Sequence, residues 1–365
     1  MRALDCLRRT FELQDPAHAR LLPMEGLRGA AVILVFLQHY TRQAQLIGQA
    51  PGPTTLITEV FRHYGNYGVE LFFVLSGYLI YGTLMQGRTT FLLFMARRVQ
   101  RIYPAFLIVF AGTVAVRFLI PGGIPTEFGP ALVLIAENLL LLPGMLPITR
   151  IVEVAWSLSF EMFFYIVTAV VVLGLRAGQR SKQLRLGGLF VLCGLLLAAG
   201  MTGVIDIQFR ALPFFAGIFL AEGLGRPVPS WAGWAAPALA FSAALSRPYL
   251  GPIEQVLQTA GFFCLCAVCF RDAGFVSIFM RLTPLRWLGN MSYSYYLLHG
   301  IVVRVAMVGL AHFVPGELPA LLFWALMPVA FAATLVPAAI LFVVVERPFS
   351  IRPARPHSAP RVRPA

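Results

Sequence analysis

The sequence has few charged residues and no long polar interval. Only 12% of its 365 residues are Asp, Glu, Lys or Arg, while 58% are hydrophobic and the mean hydropathy is +0.77. This apolar content lies well above that of a soluble domain. Apolar runs recur from residue 26 to residue 345, which excludes a pair of separate soluble domains and favours one continuous membrane domain.

Acidic residues are the scarcer of the two charged classes. The chain has 16 Asp and Glu residues against 29 Lys and Arg, which gives a formal net charge of +13. The arginines occur in short clusters between apolar runs, where the cytoplasmic loops of a membrane protein collect them. The positive charge therefore indicates topology, and we predict no nucleic-acid partner.

Cysteine is also rare, with five residues in the chain. Cys264, Cys266 and Cys269 form a C-x-C-x-x-C pattern, but this pattern lies within an apolar run. A metal site needs polar access and further ligands nearby, whereas small cysteines packed inside membrane helices are common. We therefore predict no metal site.

Ten apolar runs have the length and composition of membrane-spanning helices. They lie at about residues 26–43, 67–85, 102–120, 155–175, 187–204, 209–224, 231–245, 256–270, 290–311 and 319–345. The stretch at 130–146 is apolar too, but Glu137, Asn138 and the bracketing prolines favour a re-entrant or interfacial segment. The sequence thus predicts an all-α, polytopic membrane bundle of about ten transmembrane helices.

The basic residues indicate the orientation of this bundle. With ten spans and a cytoplasmic N-terminus, about 22 of the 29 Lys and Arg residues fall on the cytoplasmic side, as the positive-inside rule requires. An eleventh span would remove this bias. We expect a cytoplasmic N-terminal segment (1–25), a membrane domain (26–345) and a cytoplasmic, basic and proline-rich tail (346–365) that can touch anionic lipid headgroups.

The first span carries two polar residues on one line. Arg28 and His39 are eleven residues apart, and eleven helical steps of about 100° return to nearly the same face about 16 Å further along. One face therefore joins a cation at the cytoplasmic end to a candidate base near the outer end. The alternative is that Arg28 is a boundary residue that extends to the interface and that His39 is a structural histidine.

Two acids are predicted near the outer ends of other spans. Glu70 lies at the start of the second span and Glu161 at the start of the fourth, so both are expected at a depth similar to that of His39. A base and an orienting carboxylate can be formed from such a group. Each residue can alternatively serve packing at the interface.

A cluster of three arginines, Arg97, Arg98 and Arg101, precedes Tyr103-Pro104 on the predicted cytoplasmic side. Dense guanidinium groups at the start of a helix suit phosphate groups. Arginines at a cytoplasmic boundary also serve topology, so the pattern has two interpretations.

Taken together, these residues make the sequence resemble acyltransferase family 3 of membrane proteins over almost the whole chain. The matching motifs are the arginine, ten residues, histidine signature (Arg28, His39), the FFVLSGFLI motif with Tyr78 in place of Phe (72–80), the arginine-x-x-arginine step (Arg98, Arg101), WSLSxE (156–161), LGxxSYSxYLxH (288–299) and VERP (345–348). The sequence departs from the family pattern at two places. Glu70 stands where the family usually has Asp before the LFFVLSG run, and Glu161 is followed by Met162 where the family commonly has two acids after the WSLS run.

The resemblance implies a transmembrane O-acyltransferase. Such proteins move an acyl group, usually acetyl, from cytoplasmic acyl-CoA to a hydroxyl of an extracytoplasmic glycan, so acyl-CoA is a co-substrate and no cofactor is implied. The family would place the CoA phosphates near Arg98 and Arg101, with Arg97 and Arg28 as further candidate contacts. It also implies the bacterial plasma (inner) membrane as location, with both termini cytoplasmic.

The resemblance also implies a chemistry for the outer end. The thioester would meet His39, which would act as general base on a sugar hydroxyl, with Glu70 or Glu161 orienting its imidazole. A covalent acyl-histidine is the competing mechanism. His299 matches a family position, and both a structural and an active role remain open for it.

Four further residues are expected to contact the acceptor. Trp156 and Ser159 belong to the WSLSxE motif, and Tyr78 belongs to the FFVLSGYLI run. Arg210 begins a stretch, RALPFFAG, that is similar to the branch of the family that decorates exopolysaccharides, such as succinoglycan acetyltransferases.

A function from another class remains open. A multi-pass transporter of a glycan or lipid-linked sugar could use the same intramembrane charges as a binding path. The sequence shows no convincing internal repeat and no matched pair of broken helices, which such folds usually have. A further enzymatic alternative keeps the fold and changes the acceptor to peptidoglycan, lipid A or a small antibiotic sugar.

Overall fold

The structure of the protein, a computed structural model, describes most of the chain. The described residues are 2–12, 22–46, 54–120, 122–201, 207–223, 229, 231–245, 252–272, 274–313 and 319–350. Within these ranges the chain forms helices and the turns and loops that join them, and none of these residues lies in a β-strand. The predicted all-α architecture is confirmed.

Helices fill most of the described residues. In chain order they are α1 (Arg2–Phe11), α2 (Leu22–Leu46), α3 (Thr54–Met85), α4 (Phe91–Leu119), α5 (Phe128–Leu139), α6 (Ala155–Gly174), α7 (Lys182–Met201), α8 (Ile207–Gly223), α9 (Ala232–Leu245), α10 (Pro252–Phe270), α11 (Gly274–Met280), α12 (Thr283–Asn290), α13 (Ser292–Phe313) and α14 (Ala320–Leu341). Each predicted span overlaps one of the ten helices α2, α3, α4, α6 to α10, α13 and α14. Six stretches of the described chain are long and apolar enough to cross a membrane, so the number ten is approximate.

The outward faces of the long helices are apolar. α6 illustrates this, because one side packs into the core through buried residues such as Leu158 and Phe164. Its other side exposes a row of large hydrophobic side chains: Phe163, Ile166, Val167, Val170 and Val171. An exposed apolar surface of this kind is stable in lipid and unfavourable in water. The chain is therefore an integral membrane protein.

The stretch at 130–146 contains a helix too short to cross the bilayer. α5 has 12 residues, or about 18 Å at the usual helical rise, against a hydrocarbon core of about 30 Å. Asn138, in its last turn, donates to the carbonyl oxygens of Leu134 and Thr149 and accepts from the Ile151 backbone N–H. The polar residue that interrupts this apolar stretch thus holds the loop that follows it.

Two glycine contacts fix the position of α2. A Cβ atom at Gly29 would lie 2.0 Å from the carbonyl oxygen of Leu285, and one at Gly68 of α3 would lie 2.7 Å from that of Ala31. Only glycine allows helix backbones to approach so closely. The helix that carries Arg28 and His39 is therefore packed closely against neighbouring elements on two sides.

The last helix continues beyond the predicted end of the membrane domain at residue 345. After α14 the chain forms a π-helix over Phe342–Ser350, which includes Pro348. Phe342 stacks on Phe11 of α1 with ring centroids 5.7 Å apart. Glu346 in this segment is completely buried. Residues 351–365 of the predicted tail lie outside the described residues.

Candidate functional site

A cavity lies among α2, α3, α4, α6 and α13, with about 870 Å³ of empty space including its open mouth. Its wall is formed by Arg28, Val69, Phe72, Phe73, Leu75, Ser76, Leu79, Ile80, Arg98, Arg101, Ile102, Ser157, Leu158, Glu161, Tyr165, Ser292, Tyr293 and Tyr296. Most of this lining is apolar, and three arginines and one carboxylate are the charged groups within it. Such a mixture suits a ligand with an apolar part and an anionic part.

The first two arginines of the cavity have neutral partners. Arg28 of α2 donates from Nε and Nη2 to the hydroxyl of Ser292, at 3.2 and 2.9 Å. The guanidinium of Arg98 lies 5.2 Å from the ring centroid of Phe94 and 5.7 Å from that of Tyr165. Aromatic faces attract a cation without neutralising it, so both arginines can still attract an anion.

The third arginine has an anionic partner. Arg101 forms an ion pair with Glu346 at 2.5 Å, and its guanidinium lies 5.6 Å from the ring of Tyr293. Arg97, which the sequence grouped with Arg98 and Arg101, is exposed and is not part of the cavity wall. The arginine-x-x-arginine step therefore points two guanidinium groups into the cavity.

Glu161 lies on the wall of the same cavity. Its Oε1 accepts hydrogen bonds from the hydroxyl of Ser76, at 2.9 Å, and from that of Tyr165. Glu70 instead accepts from Gln255 Nε2 of α10 at 2.6 Å. Ser76 follows Glu70 by six residues, or about 9 Å along α3. The expected common depth of the two acids is therefore not observed, because the structure pairs Glu161 with a later turn of α3.

His39 lies next to another histidine. It is buried, and its ring centroid is 4.7 Å from that of His299, with the rings nearly perpendicular. Within the described part of the chain, no hydrogen-bond partner contacts His39 Nδ1 or His299 Nε2. The neighbour expected for His39 was a carboxylate, whereas Glu161 contacts Ser76 and Glu70 contacts Gln255. A buried polar atom without a partner is unusual and often marks a functional group.

His299 is fixed by its own helix. Its Nδ1 lies 3.1 Å from the carbonyl oxygen of Tyr295, which requires a proton on Nδ1 and leaves Nε2 as an acceptor. The ring also stacks on that of Tyr295 at 5.4 Å. The glycine at position 300 places no side chain beside His39 Nδ1, and a Cβ there would lie 3.5 Å from that atom. The two imidazoles therefore share a small, defined space.

Tyr296 lies between the cavity and the histidine pair. It is part of the cavity wall, its hydroxyl is 2.7 Å from Ser157 Oγ, and its ring centroid is 5.8 Å from that of His299. His39 itself is not part of the wall. Tyr296 was not among the candidate site residues that the sequence indicated. The sequence did hold a signal for its contact with His299: a spacing of three residues puts both side chains on one helix face.

The four residues predicted to contact the acceptor lie outside the cavity wall. Two of them meet: the guanidinium of Arg210, which is exposed, lies 4.4 Å from the ring centroid of Trp156. Ser159 is buried, where its hydroxyl accepts from the Gly144 backbone N–H at 3.1 Å and holds the loop before α6. Tyr78 packs against Phe270 with ring centroids 4.7 Å apart. The last two contacts are internal ones between elements of the fold.

Comparisons with known proteins agree with these features. Residues 23–343 match the model of a family described as an acyltransferase domain, acyltransferase family 3. The acyltransferase MdmB of Streptomyces mycarofaciens is 26% identical over 91% of this chain and 92% of its own length. The exopolysaccharide production protein ExoZ of Rhizobium meliloti (strain 1021) is 28% identical over 78% of this chain and 89% of its own length. No solved structure matches the chain.

Proposed function

Because the chain belongs to acyltransferase family 3 and is therefore a membrane acyltransferase, we propose that the acyl group is acetyl and that cytoplasmic acyl-CoA carries it. The proposed acceptor is a hydroxyl of an extracytoplasmic glycan. In this proposal the chain lies in the bacterial plasma (inner) membrane with both termini cytoplasmic. The identity of the acceptor draws its support from ExoZ, the relative named for exopolysaccharide production.

The observation that carries the proposal is the arginine-lined cavity. Arg28, Arg98 and Arg101 face one space, and the rest of its wall is largely apolar. Phosphate groups of acyl-CoA fit the guanidinium groups, and the acyl-bearing arm fits the apolar part. α2 then leads from Arg28 at the cavity to His39, about 16 Å further along the helix.

In the proposed reaction, His39 acts as general base. It accepts the proton of a sugar hydroxyl while the hydroxyl oxygen attacks the carbonyl carbon of the thioester. The tetrahedral intermediate collapses, the C–S bond breaks, and the CoA thiolate leaves and is protonated. The ester remains on the sugar. His299 is the neighbour that holds the imidazole of His39, so the proposal assigns no orienting role to Glu70 or Glu161.

The pair formed by half-buried Trp156 and exposed Arg210 is the candidate contact for the acceptor. Aromatic rings stack on the apolar faces of sugars, and a guanidinium donates to hydroxyl and carboxylate oxygens of acidic glycans. Of the four residues that the sequence predicted to contact the acceptor, Trp156 and Arg210 keep that role in the proposal. Ser159 and Tyr78 do not, because both are engaged within the fold.

The test is turnover by the purified protein in lipid nanodiscs. Acetyl-CoA labelled in the acetyl group is supplied with alkali-deacylated exopolysaccharide oligosaccharides, and both free CoA and labelled oligosaccharide are measured. We expect equal amounts of the two products with the wild type and only traces of either with His39→Asn. His312→Asn, at an exposed position of α13, is the matched control. A wild type that yields neither product would refute the proposal and leave a transporter of glycans as the alternative.

The covalent alternative is tested in the absence of acceptor. A quenched reaction of wild-type protein with labelled acetyl-CoA would leave label on the protein, released by hydroxylamine, if an acyl-histidine formed. The general-base reaction leaves no label on the protein under these conditions.

A further inference from the structure

The VERP motif places a carboxylate deep in the protein, at a position the proposed reaction does not use. Glu346 is completely buried, although a buried and unpaired carboxylate is strongly unfavourable. Its Oε1 pairs with Arg101, and its Oε2 accepts from both the backbone N–H and the hydroxyl of Ser294, at 3.0 and 2.6 Å. Both carboxylate oxygens are thus engaged, one of them by a residue of the cavity wall.

The segment that carries Glu346 is fastened on both sides of this residue. Arg347 donates from Nη2 to the carbonyl oxygen of Arg9 at 2.6 Å, and Gln100 of α4 donates from Nε2 to that of Phe349 at 3.0 Å. The segment is a π-helix, a form that is rare and frequent at functional sites. The altered helical register and these contacts place the Glu346 carboxylate against α4, next to the guanidinium of Arg101.

The three arginines of the cavity differ in what holds them. Ser292 contacts Arg28, aromatic rings contact Arg98, and a carboxylate contacts Arg101. An arginine side chain loses rotamer entropy when it binds an anion. For Arg101 that ordering has already occurred, because the ion pair and the Tyr293 ring fix the guanidinium.

We propose that Glu346 is a positioning residue, which holds the Arg101 guanidinium in the cavity wall so that it can contact the phosphate groups of the acyl donor. The proposal rests on the proposed function, since it assumes that acyl-CoA occupies this cavity. A carboxylate behind the guanidinium leaves its remaining N–H groups directed at the cavity.

The decisive variant is Glu346→Gln, which keeps the size of the side chain and removes its charge. We expect the KM for acetyl-CoA to rise about tenfold, the loss of one charge-assisted contact, with kcat within about twofold of the wild type. Acetyl-pantetheine has the same thioester and arm and no phosphate, so its KM is expected to stay unchanged. A merely structural role would affect both donors alike, and that outcome would overturn the proposal.

A second acid in the fold provides the control. Glu222 of α8 forms a comparable pair with Arg185, at 2.6 and 2.9 Å, and neither residue is part of the cavity wall. Glu222→Gln is expected to leave the KM for acetyl-CoA unchanged. An equal rise in both variants would show that any lost Arg–Glu pair weakens donor binding, contrary to the proposal.

Two further variants keep the proposal testable if Glu346→Gln does not fold. Ser294→Ala removes one of the two hydrogen bonds to the carboxylate and is expected to raise the same KM about twofold to threefold. Glu346→Asp restores the charge and should recover part of the wild-type value.

In an Arg101→Gln background, Ser294→Ala should have no additional effect on KM. An additional effect there would mean that the carboxylate acts independently of Arg101. Normal turnover with an unchanged KM in these variants refutes this role alone and leaves the proposed function intact.

Discussion

The two ends of the proposed reaction path are built differently. At the cavity, charged groups already have partners: Arg28 with a serine, Arg101 with a buried carboxylate and Glu161 with two hydroxyls. At the other end, His39 and His299 lie edge to face, and each has a ring nitrogen without a partner in the described structure. In the proposed reaction, the groups that would hold the donor are positioned in advance by their partners, whereas His39, the proposed base, keeps a ring nitrogen without a hydrogen bond.

The largest effect should come from the histidine end. We expect His39→Asn to lower kcat by about 10³-fold, within the range that a general base contributes. Binding of acetyl-CoA, measured by isothermal titration calorimetry, should not change, because the residue is outside the cavity wall. Loss of donor binding in this variant would abolish the distinction between the two ends.

The cavity end should respond in the opposite way. Arg98→Gln is expected to raise the KM for acetyl-CoA by about tenfold to a hundredfold, the value of a hydrogen bond to a charged group, with little change in kcat. Arg97→Gln is the matched control, since Arg97 is the exposed neighbour in sequence. Equal effects of the two substitutions would indicate general electrostatic attraction in place of a defined site.

A smaller effect is expected from the partner histidine. His299→Asn removes the ring that contacts His39, and a ring pair of this kind contributes about 0.5–1.5 kcal/mol, so kcat should fall about twofold to tenfold. The affinity for acetyl-CoA should stay at the wild-type value. A loss as large as that of His39→Asn would make His299 a direct participant in proton transfer.

The smallest effect concerns Glu161. Ser76→Ala removes one of two hydrogen bonds to its Oε1, and we expect the KM for acetyl-CoA to change less than about fivefold. Tyr165→Phe removes the other bond and should change KM in the same direction. Opposite signs would show that the two hydroxyls contact the donor themselves.

The helices and the arginine cluster could be predicted from the sequence because both depend on local patterns. Long apolar runs define spans, and Arg28, Arg98, Arg101 and Glu161 all line the cavity. The partners of these residues could not be predicted, because they depend on how far each helix slides and rotates against the next. Glu161 was expected beside His39, yet the packing of α3 against α6 sets it beside Ser76.

Buried acids gave the weakest sequence signal. Glu346 follows a long apolar run, at a position where the chain was expected to leave the membrane as a tail. The π-helix that keeps it inside depends on contacts to Arg9 and Gln100, which are more than 240 residues away in the chain. Such distant contacts have no local pattern, and only the folded chain reveals them.

The glycine contacts at Gly29 and Gly68 make α2 a molecular ruler. The helical rise keeps Arg28 and His39 about 16 Å apart, and close packing on two sides prevents α2 from sliding, so both residues keep their depth relative to the cavity. In the proposed reaction, a donor whose arm is shorter than that length leaves its thioester short of His39, however well its phosphates bind. The proposal thus makes selection among acyl donors a matter of reach, which a larger residue at either glycine would change by shifting α2 against the cavity, without touching the donor.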